Sequence, residues 1–184
     1  DESKMALKPG DFVLSRTNAP LVSLCLSRLS QDVQARIQGR DIGKALVTWI
    51  KKAKTDDINA LLAYCEKEVT KAENVARNTG SDKKLVAVQD RVACIEALAE
   101  GCETVGCITG RIERIFADDA PSSCVLLSTV HKAKGMERDR VFILQYSFFT
   151  RKGASERELQ EEKNVRYVAI TRAKSELYLV TREK

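Results

Sequence analysis

The apolar positions of this chain change their period twice. "FVLS" (12–15) is a short apolar run closed by serine, followed by Thr17, Asn18 and Pro20, residues that open helices. Apolar positions at helical spacing come next, so strand, short loop and helix is the order predicted. "VQARI" (33–37) alternates apolar and polar side chains like a half-buried strand, and Gly39 ends it. Ile42, Ala45, Leu46, Trp49 and Ile50 then recur at three and four residues, which predicts a helix.

From Lys54 to Asp119 the pattern is helical throughout. Ile58, Leu61, Leu62, Cys65 and Val69 line one helix. Leu85, Val88, Val92, Ile95 and Leu98 line a second beyond the breaker "NTGSD" (78–82), and Val105, Ile108, Ile112 and Ile115 line a third. Pro121 and the serines after it close the stretch. Runs of strand length then return: "CVLLS" (124–128), "RVFIL" (140–144), a long helix through "ERELQEEKNVRYVAITRA", and "ELYLV" (176–180). In that helix Glu162 precedes Arg166 by four residues, the order that favours an ion pair along one face.

Short apolar strands separated by helices predict an α/β fold, a mostly parallel sheet flanked by helices, with a short all-helical insertion. The expected organisation is 1–53 and 122–184 as one sheet domain and 54–121 as the insertion. Reactive groups of such sheets gather at the carboxyl ends of strands. Arg16, His131 and the lysines beside it all follow strands closely.

Composition narrows the class. With 184 residues, 43% of them hydrophobic, 31% charged, only three Pro and nine Gly, the chain can build its own core and is neither fibrous nor of disordered type. Six cysteines (25, 65, 94, 102, 107, 124), no CxxC and one histidine exclude a zinc finger or ribbon by spacing. They are expected to be six reduced thiols, packed as small apolar residues in a reducing cytoplasm. The longest apolar runs are too short to span a bilayer, so no membrane partner is expected. The net charge of +5 is uneven: residues 122–184 carry 13 Lys and Arg against 8 Asp and Glu, whereas residues 1–121 balance at 18 each. A basic surface of this kind suits the phosphates of a nucleotide or a nucleic acid, although a merely solvated basic surface would look the same.

Three stretches then stand out together. "LSTVHKAKGMERDRVFIL" (127–144) resembles motif V of superfamily 1 helicases of the UvrD/Rep type, "EEKNVRYVAITRAKSELYLV" (161–180) resembles their motif VI, and "VLSRTNAP" (13–20) is similar to motif IV. They occur in the family's order. The resemblance implies the second RecA-like domain of an ATP-dependent DNA helicase or translocase, working with single-stranded DNA and with an N-terminal RecA-like domain of the same protein. It further implies that Arg172 is an arginine finger and that Arg16 is a second arginine on the γ-phosphate, the planar fork of arginine being suited to phosphate. Glu137 would accept a hydrogen bond from the ribose, with Gly135 as the turn residue before it. Thr129 and His131 would touch the DNA backbone, and Lys132 and Lys134 would add positive charge there.

Each residue taken singly has an ordinary alternative. Arg172 could be a helix-terminal surface arginine, Glu137 and Lys132 solvated loop residues, and His131 a structural histidine. Two features depart from the family. Ser15 stands where an aromatic residue often precedes the motif IV arginine, and the helical stretch 54–119 is much shorter than the family's 2B subdomain. The chain holds no GxxxxGK[ST] loop and no acidic Mg²⁺ motif. ATP and Mg²⁺ are therefore expected to be held mainly by the N-terminal RecA-like domain, and this chain alone is expected not to hydrolyse ATP. A rival reading from another class is a non-enzymatic RecA-like module that binds single-stranded nucleic acid or a protein partner.

Overall fold

The computed structural model describes residues 5–118, 123–148 and 154–181. They form two compact units, one made by the chain up to Gln38 and from Ala117 onward, the other by Gly39–Phe116. The first unit is the sheet domain. Its strands are β1 (Phe12–Ser15), β2 (Ala35–Gln38), β3 (Phe116–Ala117), β4 (Val125–Thr129), β5 (Arg138–Leu144) and β6 (Ala173–Val180), in the spatial order β3-β2-β4-β1-β5-β6. The β2–β4, β4–β1, β1–β5 and β5–β6 pairings are all parallel, so the expected α/β, RecA-like class is the one observed.

Parallel strands of this kind are apolar on both faces because both are covered. Phe12, Val13 and Leu14 of β1 and Val125 and Leu127 of β4 are fully buried. On one face Phe12, Leu14, Leu126, Val141 and Ile143 pack with Ala169 of α6 (Glu156–Ile170), and Val165 and Val168 of the same helix lie against them. On the other, α1 (Ala19–Leu29) buries Leu21, Val22, Leu24 and Cys25. Each large apolar side chain so buried contributes about 1.5–3 kcal/mol. α6 begins with a reciprocal capping box: the Ser155 hydroxyl accepts from the Glu158 N–H while the Glu158 carboxylate accepts from the Ser155 N–H. β6 forms one edge of the sheet, and Leu177, Tyr178 and Leu179 are 38, 39 and 56% exposed on it.

The second unit is all helical: α2 (Arg40–Ile50), α3 (Ile58–Thr79), α4 (Lys83–Ala99) and α5 (Val105–Ile115). Asp57 caps α3 by accepting the Ala60 N–H at 2.7 Å, and α3 ends at Gly80 in the left-handed conformation. The helical unit starts at Gly39, earlier than the change of period at Lys54, because α2 packs on helices. A side chain at Gly43 would place its Cβ 2.9 Å from the Phe116 Cβ, so glycine is what lets α2 lie against the end of α5. Trp49 packs on Tyr64 at 5.1 Å, with the Arg91 guanidinium over its ring. Residues 119–122, where the closing boundary at 121 and Pro121 fall, lie outside the described residues.

The expectation of six free thiols is corrected here. Cys102 and Cys107 form a disulfide across the turn between α4 and α5, which brings their Cα atoms to 5.8 Å. Cys25, Cys65, Cys94 and Cys124 are free and buried, and burial pushes the Cys25 thiol up to about 12, which makes it inert. Among the described residues no helix is long and apolar enough to cross a membrane.

Candidate functional site

The residues singled out by sequence fall at two opposite ends of the parallel sheet. At the carboxyl ends lie Arg16, Thr129 and His131. Ser15 and Thr129 are partners in register and each is the last residue of its strand; the Val130 N–H then donates to the Ser15 carbonyl. Thr129 is buried, and its carbonyl accepts from the N–H groups of Lys132 and Ala133, which turns the chain sharply. Val130 and Ala133 sink into the apolar cluster beneath α6, which leaves His131, Lys132 and Lys134 exposed around them.

Arg16 is held against this turn. Its backbone N–H donates to the Ser147 Oγ at 2.9 Å, and its Nε donates to the Glu162 Oε2 of α6 at 3.0 Å. The predicted Glu162–Arg166 helical pair is therefore corrected: Glu162 faces Arg16, and Arg166 turns to the Phe148 ring and carbonyl and the Gln145 amide. The His131 imidazole lies close enough to feel both charges. Its pKa is lowered by desolvation first and by Arg16 second, with Glu162 acting in the opposite sense. Ser15 is fully buried, so it offers no surface to a base.

Gly135, Glu137 and Arg172 lie at the other end, before β5 and β6. Gly135 has φ +82°, and nothing lies within 4 Å of where its Cβ would be, so the backbone angle and not crowding calls for glycine. The Arg138 N–H donates to the Arg172 carbonyl, which ties the two strand starts together. The Arg172 guanidinium donates to the carbonyls of Val168 and Met136 at 3.0 and 3.3 Å and to the Thr171 hydroxyl at 3.0 Å. All three acceptors are neutral, so its charge meets no carboxylate among the described residues. The exposed carboxylate of Glu137, one residue from Met136, likewise has no ion-pair partner among them.

An uncompensated guanidinium beside an unpaired carboxylate fits a nucleotide, the first taking phosphate and the second a sugar hydroxyl. No group of three His, Cys, Asp or Glu side chains among the described residues could hold a metal ion. From β5's first to last residue the strand spans about 20 Å, which is the separation of the two ends. Along α6 the residues that hold Arg16 (Glu162) and Arg172 (Val168) are about 9 Å apart. Arg16 therefore shares its surroundings with Thr129 and His131, and not with Arg172. Glu162 is the residue whose importance the sequence pattern concealed, since its partner is 146 residues away in the chain.

Comparison with known proteins identifies the family. The profile of a family described as the UvrD-like helicase C-terminal domain matches residues 40–184. The ATP-dependent DNA helicase PcrA of Bacillus subtilis (strain 168) is 26% identical over 160 residues, which is 85% of this chain and 19% of PcrA. YjcD of the same organism is 25% identical over 148 residues, 74% of this chain and 20% of its own length. The PcrA of Staphylococcus aureus (strain Mu50) is 44% identical over 61 residues, 30% of this chain and 8% of that protein. The chain thus spans about a fifth of the length of the first two relatives.

Proposed function

The chain belongs to the family of UvrD-like helicase C-terminal domains, and from that premise we propose that it is the second motor domain of an ATP-dependent DNA helicase or translocase. In this reading ATP lies between the amino-end surface of the sheet and an N-terminal RecA-like domain, which holds the Mg²⁺ and most of the phosphate contacts. Arg172 supplies the positive charge that meets the charge developing on the γ-phosphate, and Glu137 orients the ribose, with Gly135 allowing the turn just before Glu137. The observation that carries this is the Arg172 guanidinium, held in place by three neutral acceptors and still in want of an anion. Fixed by carbonyls, it is preorganised without being neutralised.

Thr129, His131, Lys132 and Lys134 form the single-stranded DNA contact at the other end. The sequence resemblance groups Arg16 with Arg172 on the γ-phosphate; the neighbourhood of Arg16 supports assigning it instead to the DNA backbone, beside Thr129 and His131. With its phosphate groups split in this way, the domain can transmit closure at the nucleotide to a change of grip on the strand. The chain by itself hydrolyses no ATP.

The test is Arg172→Ala in the full-length protein. ATP turnover falls by about 10³-fold or more, the range for an arginine finger, while single-strand affinity changes little. Unchanged turnover refutes the assignment. For this chain alone, loss of oligothymidylate binding with rising salt is expected to be steep, as phosphate contacts require, and absence of binding refutes the DNA-contact assignment.

A further inference from the structure

Arg16 meets Glu162 through one nitrogen only. The Nε donates to Oε2 at 3.0 Å, and no described residue accepts from the two terminal nitrogens of the guanidinium. Glu162 is 13% exposed and its second oxygen, Oε1, is buried without a hydrogen-bond partner, whereas the Arg16 side chain is 35% exposed. The pair is thus not the parallel two-bond fork that arginine and carboxylate form when they bind only each other. It leaves the outer edge of the guanidinium, the part that chelates a phosphate, open beside Thr129 and His131.

We propose that Glu162 is a positioning residue for nucleic-acid binding: it grips Arg16 from behind through Nε and presents the two terminal nitrogens to a backbone phosphate of single-stranded DNA. This rests on the assignment of Arg16 to the DNA contact. Two effects of Glu162 oppose each other. Its hydrogen bond removes the rotational freedom of a long side chain before the phosphate arrives, which favours binding. Its negative charge, a few ångströms behind the phosphate, weakens binding and hastens release. A motor that must let go of each phosphate it grips gains from both, since orientation is kept while affinity stays moderate. Glu162 also shares α6 with Val168, whose carbonyl accepts from Arg172, so a shift of that helix at its nucleotide end is felt by the group that aims Arg16.

The opposing effects are separated by two substitutions. Glu162→Gln keeps an oxygen that accepts from Nε and deletes the charge; Glu162→Ala deletes both. Binding of a labelled oligothymidylate to the chain is measured for each, across salt concentrations. Glu162→Gln is expected to bind at least fivefold more tightly than Glu162→Ala. The slope of log affinity against log salt falls by about 0.7 from the Gln to the Ala variant, one single-strand phosphate contact. In an Arg16→Ala background the Gln and Ala variants bind alike, a result that a purely structural role of Glu162 would not give. Equal binding of the two variants with Arg16 present, or a difference that persists without Arg16, overturns the proposal. If wild-type chain binds and Lys134→Ala weakens it while both Glu162 variants match wild type, the positioning role fails and the DNA-contact assignment stands. If wild-type chain fails to bind at all, both fall.

Discussion

Arg140 offers the sharpest test of how the amino end of the sheet is held. Its side chain, 15% exposed, lies 3.3 Å from the Oδ1 of Asp11, the residue just before β1, itself 2% exposed. The Lys8 N–H also donates to that carboxylate, at 2.8 Å. The guanidinium also lies over the rings of Phe142 and Tyr178, and it reaches Glu176, whose side chain is half exposed and so adds little. Arg140→Met keeps an apolar stem between the rings and strips Asp11 of its cation. Breaking a buried pair from one side costs about 3–5 kcal/mol. Protonating Asp11 limits that cost, since moving a carboxyl of ordinary pKa to its neutral form at pH 7 takes about 4 kcal/mol. For a chain of this size the loss corresponds to a fall in Tm of about 6–15 °C. Burial already raises the Asp11 pKa, against the lowering by the Lys8 hydrogen bond and by Arg140. Its folded form thus holds a proton more tightly than the unfolded chain, so its contribution is most favourable in acid and is lost as pH rises through the folded value. Removing Arg140 enlarges this effect. Urea denaturation followed by circular dichroism should show the gap between variant and wild type at pH 7 closing toward pH 4. A loss under 1 kcal/mol at pH 7, or a gap that does not change with pH, would refute the reasoning.

Two further outcomes follow from close contacts and from charge. Gly43→Ala drives a methyl group into the Phe116 Cβ at 2.9 Å and the Ile112 side chain at 3.2 Å, and should destabilise the helical unit by about 1–3 kcal/mol, read as an earlier urea midpoint; an unchanged midpoint would show that α2 can move away freely. The lone His131 can be followed by NMR without ambiguity: Arg16→Ala should raise its titration midpoint toward the ordinary value, and Glu162→Gln should lower it, because Arg16 depresses it and Glu162 supports it. Shifts of the opposite sign would mean that the three groups are not neighbours in solution.

The elements that were legible from sequence are those whose burial is local. Phe12–Leu14 of β1, Val125–Leu127 of β4 and Val141–Leu144 of β5 are apolar runs because they lie inside the sheet, and α3, α4 and α5 carry apolar residues at helical spacing because each buries one face. β3 was missed because two residues, Phe116 and Ala117, carry no period at all. α2 read as part of the sheet domain because its pattern says that it is buried but not against what; the small side of Gly43 decides that. The same limit applies to the site. Motif order identified Arg16, Arg172, Glu137 and His131 as a set, yet only the parallel register separates those that follow strands from those that precede them. Glu162 had a plausible partner four residues on, and helical geometry alone favoured it. A half-buried arginine–carboxylate contact between distant segments leaves no mark in either segment.

The exposed side chains of β6 have a practical bearing on every assay proposed above. Among the described residues no strand pairs with its outer edge, which presents backbone donors and acceptors, and Leu177, Tyr178 and Leu179 make it sticky as well. No proline interrupts the strand; Lys174 and Glu176 are the charges it carries against self-pairing. Concentrated stocks of this chain are therefore prone to zip edge to edge into cross-strand dimers and larger aggregates. Oligonucleotide titrations belong at low protein concentration, with light scattering as the companion check.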